Sequence, residues 1–211
     1  LSKIQKSMEH RGPDNSSHYF LDPALFIHNR LTIIDLNIRA NQPFLSNDKQ
    51  KVIVFNGEIY NYLELKKFLE KHFQFKTSSD TEVLLAAYEH WGESFLNKLE
   101  GMFALAIFDY KKNKAFFARD RFGQKPLFFW KNDNKLYFSS EVKGIIAAGY
   151  KAEANYKTWF DYLYFGATDH ASETFFKNVS QLLPGESASF NLKEGLIIKK
   201  WYNFNEIIKR K

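Results

Sequence analysis

The stretch Val52-Ile53-Val54-Phe55-Asn56-Gly57-Glu58-Ile59-Tyr60-Asn61-Tyr62 runs an apolar strand straight into an amide, a glycine and a carboxylate standing side by side. A strand ending in Asn-Gly ordinarily reads as hairpin chemistry, because both residues tolerate positive φ. No second strand follows. Tyr62 to Phe73 instead places Leu65, Phe68 and Leu69 on one helical stripe, with Asn61 and Glu64 spaced as an N-cap and its N3 partner. The pattern predicts strand, polar elbow, helix. Such an elbow aims backbone N–H groups and an Asn amide at whatever occupies it, which suits a carboxylate, an amide oxygen or a developing oxyanion.

Upstream of this stretch, the Arg11-Gly12-Pro13-Asp14 turn is followed by strand-like runs at 17–21, 24–28 and 31–35 and by a loop closing on Asn41-Gln42-Pro43. Downstream, Ser79-Asp80-Thr81-Glu82 has the form of a capping box opening a helix that carries Val83, Leu84, Ala87, Tyr88 and Trp91 and stops at Gly92. From Gly101 the pattern turns to strands at 102–110, 115–120, 126–130 and 136–139, an antiparallel meander. The run Met102-Phe103-Ala104-Leu105-Ala106-Ile107-Phe108 is apolar on both faces and is expected to be a central strand, with helices on one side and a second sheet on the other. Helices at 141–148 and 155–165 and a hairpin around 186–200 complete the chain.

The 211 residues are 45% hydrophobic and include 22 Phe and 11 Tyr gathered in short runs, which points to one α+β domain with packed sheets. No run reaches the length of a membrane span and no signal-peptide pattern is present, so a soluble, cytoplasmic protein is expected. The absence of cysteine excludes disulfides and thiolate metal sites, and the six His show no ligand spacing, so no metal is expected. The net charge of +6 is spread among acidic and apolar residues, with no basic stripe of the kind that binds nucleic acid. The opening Leu1–Met8 has the spacing of a helix already under way, and Glu206–Lys211 reads as a charged linker after an apolar Trp201-Tyr202 anchor. The expected division is a domain over 1–203 and the start of a linker over 204–211.

Four segments concentrate groups that a packed core does not need: 11–14, 30–35, 56–61 and 79–82. In order along the chain stand Arg-Gly-Pro-Asp at 11–14, Arg-Leu-Thr-Ile-Ile-Asp at 30–35, Gln42-Pro43, and Asn-Gly-Glu-Ile-Tyr-Asn at 56–61. Ser-Asp-Thr-Glu at 79–82, Gly-Met-Phe-Ala at 101–104, Ala-Arg-Asp-Arg-Phe-Gly-Gln-Lys-Pro-Leu at 118–127 and Ser-Ser-Glu-Val-Lys at 139–143 follow. The series resembles the glutaminase domain of glutamine-hydrolysing asparagine synthetases, which are class II glutamine amidotransferases. The resemblance implies an N-terminal nucleophile hydrolase fold: a four-layer αββα sandwich of two antiparallel sheets flanked by helices. It also implies hydrolysis of glutamine to glutamate and ammonia. The ammonia would pass to a C-terminal synthetase domain that uses ATP and Mg to amidate aspartate or a related carboxylate. No cofactor is expected in this chain itself; its partners would be glutamine and that second domain, and a homodimer is a further possible arrangement.

Within that resemblance, Arg30 would bind the α-carboxylate of glutamine as a bidentate fork, with Leu31, Thr32, Ile33 and Ile34 lining the pocket. Glu58 and Asp80 would face the α-ammonium. The Asn56 amide and the Gly57 N–H would stabilise the oxyanion, each donor contributing on the order of 10²–10³ in rate, and a glycine lets a substrate approach the main chain closely. Each group also has a purely structural reading. Arg30 could pair with Asp35 on the surface, Asp80 is favourable at a helix N-terminus by dipole alone, and Asn56-Gly57 could be only a turn. Arg11–Asp14 reads as a tight turn ending the first helix, and Arg119–Pro126 as a salt-bridged hairpin or a surface facing a second domain.

The family's nucleophile is a cysteine at the mature N-terminus, whose α-amine can act as the general base, and none of these residues is a cysteine. Ser2 stands in a helix-like segment and is a poor replacement. This chain alone is therefore expected to be inactive, its first strand missing and its apolar surface exposed. The alternative is a non-catalytic, glutamine-binding regulatory domain. Gln124 and Leu183-Pro184-Gly185 depart from the family's usual residues without touching the inferred pocket.

Overall fold

The computed structural model describes residues 1–168, 170–204 and 206. A short helix α1 (Ser2–Ser7) leads into the hairpin β1 (Asn15–Leu21) and β2 (Ala24–Arg30), then β3 (Phe44–Leu45) and the nine-residue β4 (Lys51–Ile59). Two helices follow, α2 (Tyr62–Leu69) and α3 (Asp80–Trp91), then β5 (Gly101–Asp109), β6 (Lys114–Arg119), β7 (Phe128–Asn132) and β8 (Lys135–Ser139). The chain continues through α4 (Val142–Ala147), α5 (Tyr156–Phe165), β9 (Val179–Gln181), β10 (Glu186–Asn191) and β11 (Gly195–Lys200). Of the linker expected over 204–211, residues 205 and 207–211 lie outside the described residues. No helix among the described residues is long and apolar enough to cross a membrane.

A six-stranded antiparallel sheet in the order β11-β10-β6-β5-β4-β3 forms the middle of the molecule. The alternation of a strand sends Ile53, Phe55 and Ile59 of β4, with Phe103, Leu105 and Ile107 of β5, to one face, where they pack against Leu65, Leu69, Val83, Leu84 and Ala87 of α2 and α3. The opposite residues, Val52, Val54, Ala104, Ala106, Phe108 and Phe117, pack on Phe26, Leu127, Phe129 and Leu182 of the second layer. Beyond that layer, Ile145 of α4 closes on Val179, Phe128 and Trp130, and α1 lies against α4. This is the four-layer α+β arrangement expected from the sequence, with β5 covered on both faces.

The second layer differs from a single sheet. It consists of the β1-β2 hairpin and a separate three-stranded sheet, β8-β7-β9, so among the described residues β2 and β8 each keep one edge without a strand partner. Residues 31–35 are not a strand, because their carbonyls curl back onto the Arg30 guanidinium and Asp35 takes a φ of 51°. β4 also continues through Asn56-Gly57-Glu58, and the chain turns only at Tyr60-Asn61. Asn61 does not cap α2; its amide is drawn to the segment before β5, accepting from Glu100 N (3.1 Å) and donating to Lys98 O (2.9 Å). Ser79 does cap α3 through Thr81 N (3.1 Å), but Glu82 reaches back to Lys76 N, Thr77 N and the Thr77 hydroxyl rather than to Ser79.

The segment 119–126 is no salt-bridged hairpin. Asp120 is fully buried and accepts from the backbone N–H groups of Phe103, Phe122, Gln124 and Lys125, while Arg119 donates to the carbonyls of Gly123, Lys125 and Leu182. The charges are consumed in shaping a tight turn. Arg11, in contrast, is tied with Lys143 to Glu141 at 2.9 Å each, which fastens the end of the first helical segment beside α4.

Candidate functional site

β3 pairs only with Val52 and Ile53, so among the described residues the outer edge of β4 beyond Ile53 has no neighbouring strand. Backbone groups two residues apart point the same way. On this edge the Phe55 N–H goes to Gln42 Oε1 (2.6 Å) and the Ile59 N–H to Asp80 Oδ2 (3.1 Å). By the same parity the Gly57 N–H points outward between them. The side chains of Asn56 and Glu58 share the face of Val52 and Val54 and stand between the sheets, with Asn56 Nδ2 3.4 Å from the Ser140 hydroxyl. A Cβ on Gly57, whose φ is +152°, would lie 2.0 Å from the Met102 carbonyl oxygen of β5. The missing side chain is thus required by the adjacent strand rather than by the cavity.

Arg30, at the end of β2, is buried, and all four Nη hydrogens are committed. Nη1 donates to Asn37 O (3.1 Å) and Asn41 Oδ1 (2.6 Å), Nη2 to Ile34 O (3.1 Å) and Asp35 O (2.5 Å). The guanidinium therefore gathers the 31–41 loop around itself. Asp35 then fixes that loop to the entry of α3 by accepting from Ser78 N (2.7 Å), a bond that holds its carboxyl below the usual carboxylate range. The arginine and the acids are coupled through one short chain of contacts.

Asp80, in the first turn of α3, is 5% exposed. Burial pushes its carboxyl up to about 6, with the nearby charge of Glu58 adding to the effect against its hydrogen bonds. A cation placed beside the two acids would reverse that shift. Gln42, buried between the Phe55 N–H and the Thr81 hydroxyl (3.2 Å), ties β4 to α3 and keeps Asp80 against the strand edge.

Arg30, Leu31, Ile33, Ile34, Asn56, Gly57, Glu58 and Asp80 all line one cavity of about 940 Å³. Thr32 is the exception. Its N–H and hydroxyl both donate to Asp14 Oδ2 at 2.7 Å, so it turns from the cavity and serves the Arg11–Asp14 turn. The cavity extends as a groove along β2 and β8, over a floor of Val54, Ala104, Ala106 and Phe117. Its walls include the two strands that lack an outer partner.

Sequence reasoning missed two residues here. Gln42 was recognised only as part of a dipeptide. His28, two residues before Arg30 on the same face of β2, also lines the cavity; burial lowers its imidazole to about 4, and a bond to the Phe55 backbone opposes that only in part. It is neutral at ordinary pH, and its Nδ1 is buried without a partner among the described residues. The strand period from Arg30 was the signal that could have found it.

The family profile described as "Glutamine amidotransferase domain" matches residues 1–202. The chain belongs to this family. Asparagine synthetase [glutamine-hydrolyzing] 2 of Bacillus subtilis (strain 168) is 39% identical over 197 residues, 91% of this chain and 26% of that protein. Asparagine synthetase B [glutamine-hydrolyzing] of Escherichia coli (strain K12) is 41% identical over 145 residues, 68% of this chain and 26% of that protein. This glutamine amidotransferase domain is thus homologous to the amidotransferase part of asparagine synthetases and spans about a quarter of the length of these two relatives. Among solved structures, glutamine phosphoribosylpyrophosphate amidotransferase from B. subtilis superposes with a TM-score of 0.59 at 22% identity, over 83% of this chain and 34% of that one. The fold is therefore that of the amidotransferases.

Proposed function

We propose that this amidotransferase domain forms the glutamine-hydrolysing half of an asparagine-synthetase-like enzyme. Asp80 and Glu58 receive the α-ammonium of glutamine, while Arg30 and the 31–34 backbone receive its α-carboxylate. The Gly57 N–H and Asn56 Nδ2 receive the negative charge that develops on the side-chain amide oxygen. Because the Arg30 fork is already satisfied by loop carbonyls, binding exchanges some of those oxygens for a carboxylate rather than filling an empty fork. The observation that carries this reading is the convergence of the unpaired β4 edge, the buried Asp80 and the Arg30 loop on one cavity. The ammonia released would serve a further domain that uses ATP and Mg to amidate aspartate or a related carboxylate, in the cytoplasm.

The nucleophile has to come from outside these 211 residues, which contain no cysteine. A cysteine carried on an extended segment in the groove between β2 and β8 would stand over the floor of β4, near Asn56. Its thiolate would attack the amide carbon; the C–N bond would then break with a proton passing to the leaving ammonia, and water would release glutamate from the thioester. The test is to supply a strand beginning with cysteine ahead of Leu1 and measure ammonia release from glutamine. Turnover that disappears with Arg30→Ala supports the assignment; no turnover with the strand seated would sink it. The lack of cysteine also favours a second reading, a regulatory domain that binds glutamine without hydrolysing it. Glutamine binding by the chain with no turnover in the complemented form would mark that outcome.

A further inference from the structure

Both groups assigned to the side-chain end of the substrate, the Gly57 N–H and Asn56 Nδ2, are donors. Donors alone favour the wrong ligand. A carboxylate oxygen is a stronger acceptor than an amide oxygen, so such a pocket would hold glutamate, the product of the proposed hydrolysis, above glutamine. What glutamine has and glutamate lacks is a pair of amide N–H groups, and these call for an acceptor. The Ser140 hydroxyl beside Asn56 donates as readily as it accepts and discriminates neither way. Two side-chain acceptors are buried without a partner among the described residues, Asn15 Oδ1 and His28 Nδ1, and of these His28 lines the cavity.

We propose that His28 reads the side-chain amide of the substrate, Nδ1 accepting a carboxamide N–H and thereby selecting glutamine over glutamate. This rests on the glutaminase reading and adds to it the group that tells substrate from product. The spacing along the strands supports it. Side chains two residues apart share a face, so His28 stands in the cavity wall about 6.6 Å behind Arg30 along β2. On β4 the Gly57 N–H lies the same two residues behind the Ile59 N–H that engages Asp80. An extended glutamine covers about 5 Å from its α-carboxylate carbon to its amide carbon, over four bonds of about 1.5 Å. With its head at Arg30 and Asp80, its amide arrives level with His28 and Gly57. The bond between His28 and the Phe55 backbone fixes the sense of that alignment, because Phe55 and Gly57 present their backbone groups on one edge of β4.

The same bond sets the tautomer. It favours the protonated ring, so a ring N–H donates to the Phe55 carbonyl, and the unpartnered Nδ1 is left as the bare nitrogen. Burial outweighs that bond, with the charge of Arg30 adding to burial, and lowers the imidazole to about 4. The ring therefore offers a lone pair at ordinary pH. A cationic ring would donate from both nitrogens and would favour glutamate instead. Opposite a carboxylate, the bare Nδ1 meets another lone pair with no proton between them.

The test is to titrate the 211-residue chain with glutamine and with glutamate in a calorimeter. Glutamine should bind at least about 10-fold more tightly, because a buried acceptor left unmet is destabilising. His28→Phe keeps a flat ring and removes the acceptor; it should weaken glutamine, leave glutamate equal or tighter, and so erase the preference. A residue that only packs would lower both affinities together. In the unsubstituted chain with nitrogen-15-labelled histidine, the Nδ1 resonance should be that of an unprotonated nitrogen. It should move upfield with glutamine and stay in place with glutamate, a readout that requires no variant to fold. Suppose glutamine binding is lost in Arg30→Ala, but His28→Phe leaves the preference intact or the Nδ1 resonance ignores glutamine. That result would overturn the proposal and leave the glutaminase reading standing. No binding of glutamine at all, or binding indifferent to Arg30→Ala, would overturn that reading and this proposal with it.

Discussion

Ile53, Phe55 and Ile59 leave one face of β4 and disappear into packing with α2 and α3, whereas Asn56 and Glu58 leave the other face at the end of a groove that no strand fills. The first face is closed by apolar burial, which is non-directional and tolerant of local detail. The second is held open by directional bonds: Gln42 to Phe55, Asp80 to Ile59, and Arg30 to its loop. One strand therefore turns one set of alternating residues into the core and the other, polar set toward the cavity. Substitutions on the two faces should separate accordingly.

The largest effect is expected on the closed face. Phe103→Ala removes a fully buried ring that stacks on Trp201 within the cluster covered by α2 and α3 and should lower unfolding free energy by about 3–5 kcal/mol. Urea denaturation would read this directly, and a loss below 1 kcal/mol would break the contrast.

On the open face, Asn56→Ala should leave the urea midpoint nearly unchanged. In a form carrying the nucleophilic strand it should reduce kcat by about 10²–10³, with little change in KM. Equal losses in kcat and in glutamine affinity would instead assign Asn56 to ground-state binding.

A third test exploits the acid that joins the two faces. Asp80 has its folded value raised from 3.8 to about 6, so the folded state holds the proton more tightly than the unfolded chain. Stability is then favoured below about pH 3.8, falls as pH rises between about 4 and 6, and carries the full penalty of about 3 kcal/mol above that window. Asp80→Asn should flatten this slope in a pH series of denaturation curves. The proposed pairing of Asp80 with the glutamine ammonium predicts the opposite dependence for binding: it needs the ionised carboxylate, so affinity should weaken up to about tenfold per pH unit below 6.

The smallest effect is expected at the cap. Ser79→Ala should cost about 1 kcal/mol of stability. By loosening the first turn that carries Asp80, it should weaken glutamine binding more than it alters melting, as calorimetric titration beside a thermal scan would show.

How much of this was legible in the letters depended on whether a residue's partner was near in sequence. The start of α3, the central position of β5 and the β10–β11 hairpin were read correctly, because period, capping and turn chemistry are local. Asn61 and Glu82 have the spacing of capping residues, yet each bonds elsewhere, to segments that local spacing does not bring into view. The Asn56-Gly57 pair was read as a turn because glycine serves two needs with one signature, a turn and a close strand approach. Only the Met102 carbonyl shows which applies. Thr32 was grouped with the pocket by its place in a motif, and its bonds to Asp14 remove it.

By itself the sequence determined the layered α+β class, the helices that cover one face, and the set of polar residues that a core would not need. Its apolar periods and its unusual polar clusters are properties of neighbouring residues, and these survive without coordinates. Tertiary structure decided that Arg30 is clasped by its own loop, that β4 keeps an unpaired edge, and that β2 and β8 stand apart across a groove. Those facts depend on hydrogen bonds and strand order between distant segments, and no local pattern encodes which segments meet.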